Sequence, residues 1–250
     1  MKSSEKFQCY CCEEIATTKD HIPPKCFFPE KKHLSSDSPD YRSQLLTVPA
    51  CSAHNNSRSS DDEYTAAVVV MNSQSDLAFA MFRSKWVQTL LRREGVLGKR
   101  IFSTARGARV ISRRNNLIIP HKTLAISYEM RRINRVIESI ARALYYLESG
   151  CREKWTYDCI IKSPKFLNRD LSYSQDAYNL ERINQAFIHG EKHRELGLTR
   201  KGVHPDVFYY QLFRSEDMNF IIRIVFYSDF TFLAFLKQKE SSLVVLQKLK

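Results

Sequence analysis

The sequence predicts an α+β protein, in which a small metal-stapled module precedes several helices and a C-terminal antiparallel meander. Three observations support this fold class. Cysteines and a histidine recur at metal-ligand spacing near the N-terminus, and apolar residues repeat with a helical period in residues 76–93 and 129–148. Runs of β-branched and aromatic residues fill most of residues 207–235. We therefore divide the chain into an N-terminal module, 1–74, and a larger region, 75–250, that packs on it.

The composition is that of a folded protein with an excess of positive charge. The 250 residues include 39 Lys and Arg against 27 Asp and Glu, a formal charge of +12, and 43% of the residues are hydrophobic. A charge of this size concentrates polyanions at the protein surface, and nucleic acid is the usual one. The alternative is that the charge serves solubility alone.

The lack of a recognisable targeting segment and the number of cysteines both favour the cytoplasm as the expected location. No run of 18 or more apolar residues occurs, so we expect no membrane span. The first 20 residues lack the apolar segment of a secretory signal. Seven cysteines are an odd number, which argues against a fully paired disulfide scaffold. We expect a cytoplasmic protein with reduced thiols, in which closely spaced cysteines indicate metal.

Two elements are predicted within the first module. The segment Leu45–Val48 is short, apolar and partly β-branched, and a proline follows it, which predicts a strand. The acidic run Asp61–Glu63 favours the start of a helix that continues through Met71. We expect these carboxylates to serve the helix terminus and face solvent, with a further metal ligand as the alternative.

The remaining elements follow from periodicity. Residues 76–93 are predicted to form a helix that Gly95 and Gly98 end, and residues 129–148 a helix that stops at Gly150. Three β-branched and aromatic runs with short polar connections predict the antiparallel meander. These runs are residues 207–213, 220–226 and 230–235.

Two half-sites with the spacing of zinc ligands lie in the first module. Cys9 and Cys12 form the first half-site, and Cys51 and His54 form the second. Ligands three residues apart can reach one tetrahedral ion from a tight turn, so we predict a structural Cys₃His zinc site. Cys11 is an adjacent rival ligand, and buried or redox-active cysteines are the alternative. The other cysteines, predicted to be small buried side chains, are Cys26, Cys151 and Cys159.

The residues around these half-sites form a longer pattern. The first C-x-x-C, at Cys9–Cys12, is followed by the sequence D-H-I-P-P within Lys19–Pro24. The sequence C-S-A-H-N follows within Val48–Arg58. With this pattern the chain resembles the HNH endonuclease superfamily over residues 9–64, about a quarter of its length. The resemblance implies a ββα-metal module, in which two strands and a helix surround a catalytic divalent cation and a structural zinc staples their ends. It also implies a bacterial, defence-associated type.

The resemblance implies roles for individual residues. His21 is expected to be the general base that takes a proton from the attacking water. Asp20 and Asn55 are expected to hold Mg²⁺ or Mn²⁺, hard cations that prefer oxygen ligands. The cation would stabilise the charge that develops on the scissile phosphate. Arg58, one helical turn after Asn55, is expected to contact phosphate.

The chain departs from the family pattern at two positions. The middle Asn of the family corresponds here to Leu46, so Gln44 or a backbone carbonyl must orient the base, or its orientation is dispensable. His54 stands where a fourth Cys is commoner, an exchange that zinc tolerates. Neither departure touches the expected base or the expected ligands of the catalytic cation, so activity is still expected.

The densest positive charge lies in residues 83–114, which hold ten Lys and Arg against one acid. This stretch predicts a surface that tracks phosphates. We take Arg92, Arg93 and Arg100 as its nucleic-acid contacts, together with Arg58. Scattered solvated charge is the alternative.

The sequence thus predicts an HNH endonuclease that hydrolyses phosphodiester bonds, with DNA as the expected substrate. Its cofactors are zinc as a structural ion and Mg²⁺ or Mn²⁺ as the catalytic ion. The resemblance implies a setting in restriction or anti-phage defence, with a protein partner or activator and no membrane. The alternatives are a non-catalytic zinc-stapled module that binds nucleic acid, and a ribonuclease or toxin that acts with a partner.

Overall fold

The protein is a mixed α+β chain of helices and antiparallel sheets, as the sequence predicts. The computed structural model describes residues 7–114, 117–166, 175–193, 198–215 and 219–237, and at residues 93, 110–114, 117–121 and 175 it describes the backbone alone. Within these ranges it has six α-helices and eight strands, and all strand pairings are antiparallel.

The elements form three sheets and a set of packed helices. The helices are α1 (Ser52–Asn55), α2 (Ser59–Asn72), α3 (Asp76–Met81), α4 (Val87–Phe102), α5 (Met130–Glu148) and α6 (Gln175–Lys192). The strands are β1 (Thr18–His21), β2 (Thr47–Ala50), β3 (Arg106–Arg114), β4 (Leu117–Ala125), β5 (Asp158–Lys162), β6 (Phe208–Arg214), β7 (Phe220–Phe226) and β8 (Phe230–Lys237). The strand orders are β1-β2, β3-β4 and β5-β8-β7-β6. The predicted C-terminal meander is confirmed, and β5 extends it.

The first sheet is a short pair of strands that leads directly into α1. Asp20 of β1 is the register partner of Val48 of β2. The strand predicted over Leu45–Val48 begins two residues later, at Thr47, and includes Pro49. A proline is tolerated there because a two-stranded sheet has outer edges at which no N–H is needed.

The core lies between α2, α5 and the C-terminal sheet. The predicted apolar face of α5 is confirmed, because the side chains that define it are fully buried: Ile133, Ile137, Ile140, Ala141 and Leu144. Helix α2 packs along α5 and is buried from Tyr64 to Val70. One cluster of buried residues extends from Cys9 to Leu236, so the small sheet and the C-terminal sheet share a single core.

The C-terminal sheet is covered on both faces. Ile222 and Phe232 belong to the main core with α5, whereas Ile221 and Leu233 pack with Phe187 of α6. Successive strand residues point to opposite faces, so a sheet between two helical layers needs apolar residues at every position. This requirement explains why every residue of β7 except Arg223 is apolar. The sequence analysis does not predict β5 or α6.

The helix predicted over residues 76–93 is longer and less regular than expected. It runs from α3 through a π-helical turn into α4 and passes Gly95 and Gly98 before it ends at Phe102. The backbone is left-handed at Glu94 (φ 58°) and Gly95 (φ 73°), so the helix bends where the sequence predicts its end. In the described part of the chain, no helix is both long and apolar enough to cross a membrane.

A β-hairpin, β3–β4, follows α4, and its first strand lies at the end of the basic stretch 83–114. The sequence analysis treats this segment only as a source of charge. The strands were missed because arginines and lysines interrupt the apolar alternation on which strand prediction depends.

Gly202 occupies a backbone position that other residues rarely adopt. Its φ is 146°, and a Cβ there would lie 2.7 Å from the carbonyl oxygen of Phe208. We expect Gly202→Ala to lower the free energy of unfolding in urea by about 1–3 kcal/mol. Gly107→Ala is the control, because nothing lies within 4 Å of its Cβ position. Equal stability of the two variants would contradict the strain assigned to Gly202.

Candidate metal centre

Four side chains from three segments converge beside the small sheet. Cys9 and Cys12 precede β1, Cys51 follows β2, and His54 lies in α1. Their metal-binding atoms all lie within 4.8 Å of one another. The structure therefore brings together all four predicted ligands in a cluster that could hold a metal ion, and Cys11 is not part of it.

The spacing of the cluster fits zinc. The Sγ atoms of Cys12 and Cys51 are 3.8 Å apart, and Nδ1 of His54 lies 3.6 Å from Sγ of Cys9 and 3.2 Å from Sγ of Cys51. Tetrahedral zinc, with Zn–S near 2.3 Å and Zn–N near 2.0 Å, separates two sulfurs by about 3.8 Å and a sulfur from a nitrogen by about 3.5 Å. A Cys₃His donor set with these separations is typical of a structural zinc site.

Backbone hydrogen bonds shape each half-site. The N–H of Cys9 donates to the carbonyl oxygen of Glu14 at 2.8 Å and closes the first loop. The N–H of His54 donates to the carbonyl oxygen of Cys51 at 3.1 Å. Because α1 begins immediately after Cys51, the second half-site is the junction between β2 and the helix.

The other cysteines occupy different environments. Burial raises the pKa of the Cys11 thiol. Cys26 and Cys159 pack against the core as predicted, and burial raises the pKa of each to about 12. The prediction for Cys151 is wrong, because it is exposed in a left-handed turn after α5 (φ 63°).

Asp20 lies on the covered face of β1 and pairs with a buried arginine. Nη2 of Arg58 is 2.5 Å from Oδ2 of Asp20, and the two residues are 5% and 3% exposed. Other groups around the guanidinium are the hydroxyl of Tyr10 at 3.1 Å, the carbonyl of His54 at 2.9 Å, Oδ1 of Asp62 at 3.4 Å and the hydroxyl of Ser139. The prediction that Arg58 contacts phosphate is wrong, because its guanidinium is buried and forms ion pairs with Asp20 and Asp62.

Two acids at the start of α2 are also buried. Asp61 accepts a hydrogen bond from Arg132 of α5 at 2.6 Å. Burial raises the pKa of Asp62 to about 6, and the charge of Asp20 adds to the increase while Arg58 opposes it. The expectation that these carboxylates face solvent is therefore wrong for both, since Asp61 pairs with α5 and Asp62 pairs with Arg58.

His21 projects from the face of β1 opposite to Asp20 and is partly exposed. Burial lowers the pKa of its imidazole, Lys25 adds to the decrease, and Asp20 opposes it. Among the described residues, the ring makes no hydrogen bond. Gln44 is exposed with left-handed backbone (φ 53°), and within the described ranges neither its side chain nor a backbone carbonyl accepts a hydrogen bond from the ring.

Asn55 links α1 to β1. Its Nδ2 donates to Oγ1 of Thr18 at 3.1 Å and to the carbonyl oxygen of Lys19 at 3.3 Å. Thr18 and Asp20 project to the same side of the strand, so the amide lies against the strand whose covered face carries Asp20. In the described part of the chain, Oδ1 of Asn55 accepts no hydrogen bond.

The predicted nucleic-acid contacts outside the module lie on α4. Arg92 is exposed. Arg100 is about half exposed and lies 3.6 Å from Glu129. The side chain of Arg93 lies outside the described residues. Nucleic-acid contact by α4 stays a prediction.

Three residues of the site are not identified by the sequence analysis. Tyr10 lies in the sequence between Cys9 and Cys12 of the Cys₃His cluster, and its hydroxyl is 2.5 Å from that of Ser139 on α5. Nζ of Lys154 donates to the carbonyl oxygen of Cys12 at 2.8 Å and holds the first loop on the body of the protein. Of the three, only Tyr10 could have been identified from the sequence, because it lies inside the C-x-x-C segment.

The chain was compared with protein-family models, with curated proteins and with solved structures, and none of the three comparisons found a match.

We expect Cys12→Ser to lose bound zinc and Cys11→Ser to retain one zinc per chain. The two cysteines are neighbours, but only Cys12 lies in the ligand cluster. Zinc per chain, measured by atomic emission after dialysis, tests this expectation. Loss of zinc from Cys11→Ser, or its retention in both variants, would overturn the ligand assignment.

Arg58→Met should lower the free energy of unfolding by about 3–5 kcal/mol, because it leaves two buried carboxylates without their cation. Arg100→Met is the control, since its ion pair is exposed and should contribute about 0.5 kcal/mol or less. Urea unfolding of both variants provides the measurement. The buried network would lose its assigned role if Arg58→Met were as stable as the control.

Proposed function

We propose that this protein is a divalent-cation-dependent phosphodiesterase of the HNH kind, with DNA as its substrate. The observation that supports this most is the Cys₃His cluster, because one half-site precedes Lys19–Pro24 and the other lies within Val48–Arg58, the two segments that carry the resemblance. His54 is a ligand, and Asn55, the next residue, reaches β1 beside Asp20. Zinc would therefore fix the helix to the strand at the point where the catalytic residues are expected.

The expected roles follow from the chemistry of each side chain. His21, on the more exposed face of β1, would take a proton from the water that attacks phosphorus. Asp20 and Asn55 would hold Mg²⁺ or Mn²⁺ through their side-chain oxygens, although Oδ2 of Asp20 already forms an ion pair with Arg58. When bound, the cation would stabilise the negative charge that develops on the phosphate and on the leaving group. The restriction or anti-phage setting is implied by the resemblance alone.

A second candidate function is a zinc-stapled module that binds nucleic acid without cutting it. The buried ion pair between Asp20 and Arg58 favours this candidate. A carboxylate that is neutralised by a guanidinium attracts a second cation less strongly than a free one. Both candidates share the zinc site and the basic surface, and only cleavage distinguishes them.

Cleavage of plasmid DNA, single-stranded DNA and RNA by the zinc-loaded chain tests the proposal. We expect DNA to be cut when Mg²⁺ or Mn²⁺ is added, and we expect His21→Ala to reduce the rate by about 10²–10⁴-fold through loss of the base. His189→Ala, prepared in the same way, is the control, because His189 is exposed on α6.

Three results would contradict the proposal. Cleavage that survives in His21→Ala would exclude the assigned base. Preferential cleavage of RNA would favour the ribonuclease alternative. A zinc-loaded wild-type chain that binds DNA but cuts no substrate would favour the non-catalytic module.

A further inference from the structure

The hairpin β3–β4 is a separate two-stranded sheet, which pairs with no other strand in the described part of the chain. Each strand has nine residues, paired from Arg106 with Ala125 to Arg114 with Leu117. At ~3.4 Å per residue the hairpin is about 30 Å long. In the part of the chain that the structure describes, the two strands pack chiefly on each other. The hairpin is therefore a two-stranded ribbon, and near its base the described side chains of Arg106, Arg109, Lys122 and Leu124 are exposed.

The base of the hairpin is held in place by side-chain and backbone hydrogen bonds. Oγ1 of Thr104 donates to the carbonyl oxygen of Ser127 at 3.0 Å and accepts from its N–H at 2.9 Å. The N–H of Ala105 donates to the carbonyl oxygen of Phe102, the last residue of α4, at 3.0 Å. The ribbon thus continues directly from α4.

The charge of this region has one sign. From residue 95 to residue 128 the sequence holds seven Lys and Arg and no Asp or Glu. On the ribbon, Arg109 and Lys122 are exposed and are direct register partners, so they lie side by side on one face. Like charges in directly opposed positions destabilise a strand pair. An anion bound between them would remove this repulsion.

The shape of the ribbon distinguishes between polyanions. The major groove of B-DNA is about 12 Å wide and admits a two-stranded β-ribbon. The major groove of A-form RNA is deep and narrow, and side chains do not reach its bases. The length of the ribbon is close to one turn of DNA, about 34 Å.

We infer that the β3–β4 hairpin is an arm that binds double-stranded DNA in the major groove, with Arg109 and Lys122 on backbone phosphates. This inference rests on the proposed function in taking nucleic acid as the substrate. It deepens that function by naming duplex DNA and the element that holds it. The exposed cations of α4, which include Arg92 and Lys99, extend the positive surface at the base of the arm.

Binding of the full-length, zinc-loaded chain to a 30-base-pair DNA duplex, without Mg²⁺ or Mn²⁺, tests the arm. The affinity is measured by fluorescence anisotropy at several salt concentrations. We expect the double variant Arg109→Gln/Lys122→Gln to bind more weakly and to reduce the slope of log K against log salt by about 2, one per lost phosphate contact. The control Arg182→Gln/Lys192→Gln removes the same charge from exposed positions on α6 and should keep the wild-type slope.

Several results would overturn the inference. The first is an equal loss of affinity in the two double variants, and the second is wild-type affinity in the hairpin variant. The third is competition as strong as that of DNA by an RNA duplex of the same sequence or by phosphatidylserine vesicles. Cleavage is scored separately. DNA binding through the hairpin without cleavage would leave the inference standing and the proposed function refuted. Cleavage with unchanged binding by the hairpin variant would do the reverse.

Discussion

The buried guanidinium of Arg58 is the interaction on which the arrangement of the N-terminal region depends. A buried charge is tolerated only when it is paired and fully hydrogen-bonded. Arg58 meets this condition with groups from the first metal-ligand loop, β1, α2 and α5, namely Tyr10, Asp20, Asp62 and Ser139. Because each of these groups must be in place, the small sheet has one orientation on the main core.

The Cys₃His cluster and Arg58 fasten the same short elements at two places. Strands β1 and β2 and helix α1 have four residues each, and isolated elements of that size are not stable in water. Zinc would join the first loop to the β2–α1 junction, while Arg58 joins α2 to β1. With zinc bound, this double attachment would hold Asn55 against the strand that carries Asp20 and His21, in addition to the hydrogen bonds of Asn55 to Thr18 and Lys19.

Features that depend on local spacing could be predicted from the sequence, and features that depend on distant partners could not. The four ligands were found because each pair sits three residues apart, and α5 was found because Ile133, Ile137 and Ile140 repeat with the helical period. The role of Arg58 could not be found, since Ser139 lies 81 residues away and nothing in the sequence marks it. Similarly, Asp61 resembles any acid at a helix start until α5 supplies Arg132.

In the proposed function, the junction held by zinc binds a second, catalytic cation beside Asn55. Electron paramagnetic resonance of the zinc-loaded chain titrated with Mn²⁺ measures this most directly, with the neighbouring amide Asn56 as the reference. We expect one bound Mn²⁺ per chain, which is lost in Asn55→Ala and retained in Asn56→Ala. A wild-type chain that binds no Mn²⁺, or equal loss in the two variants, would contradict it.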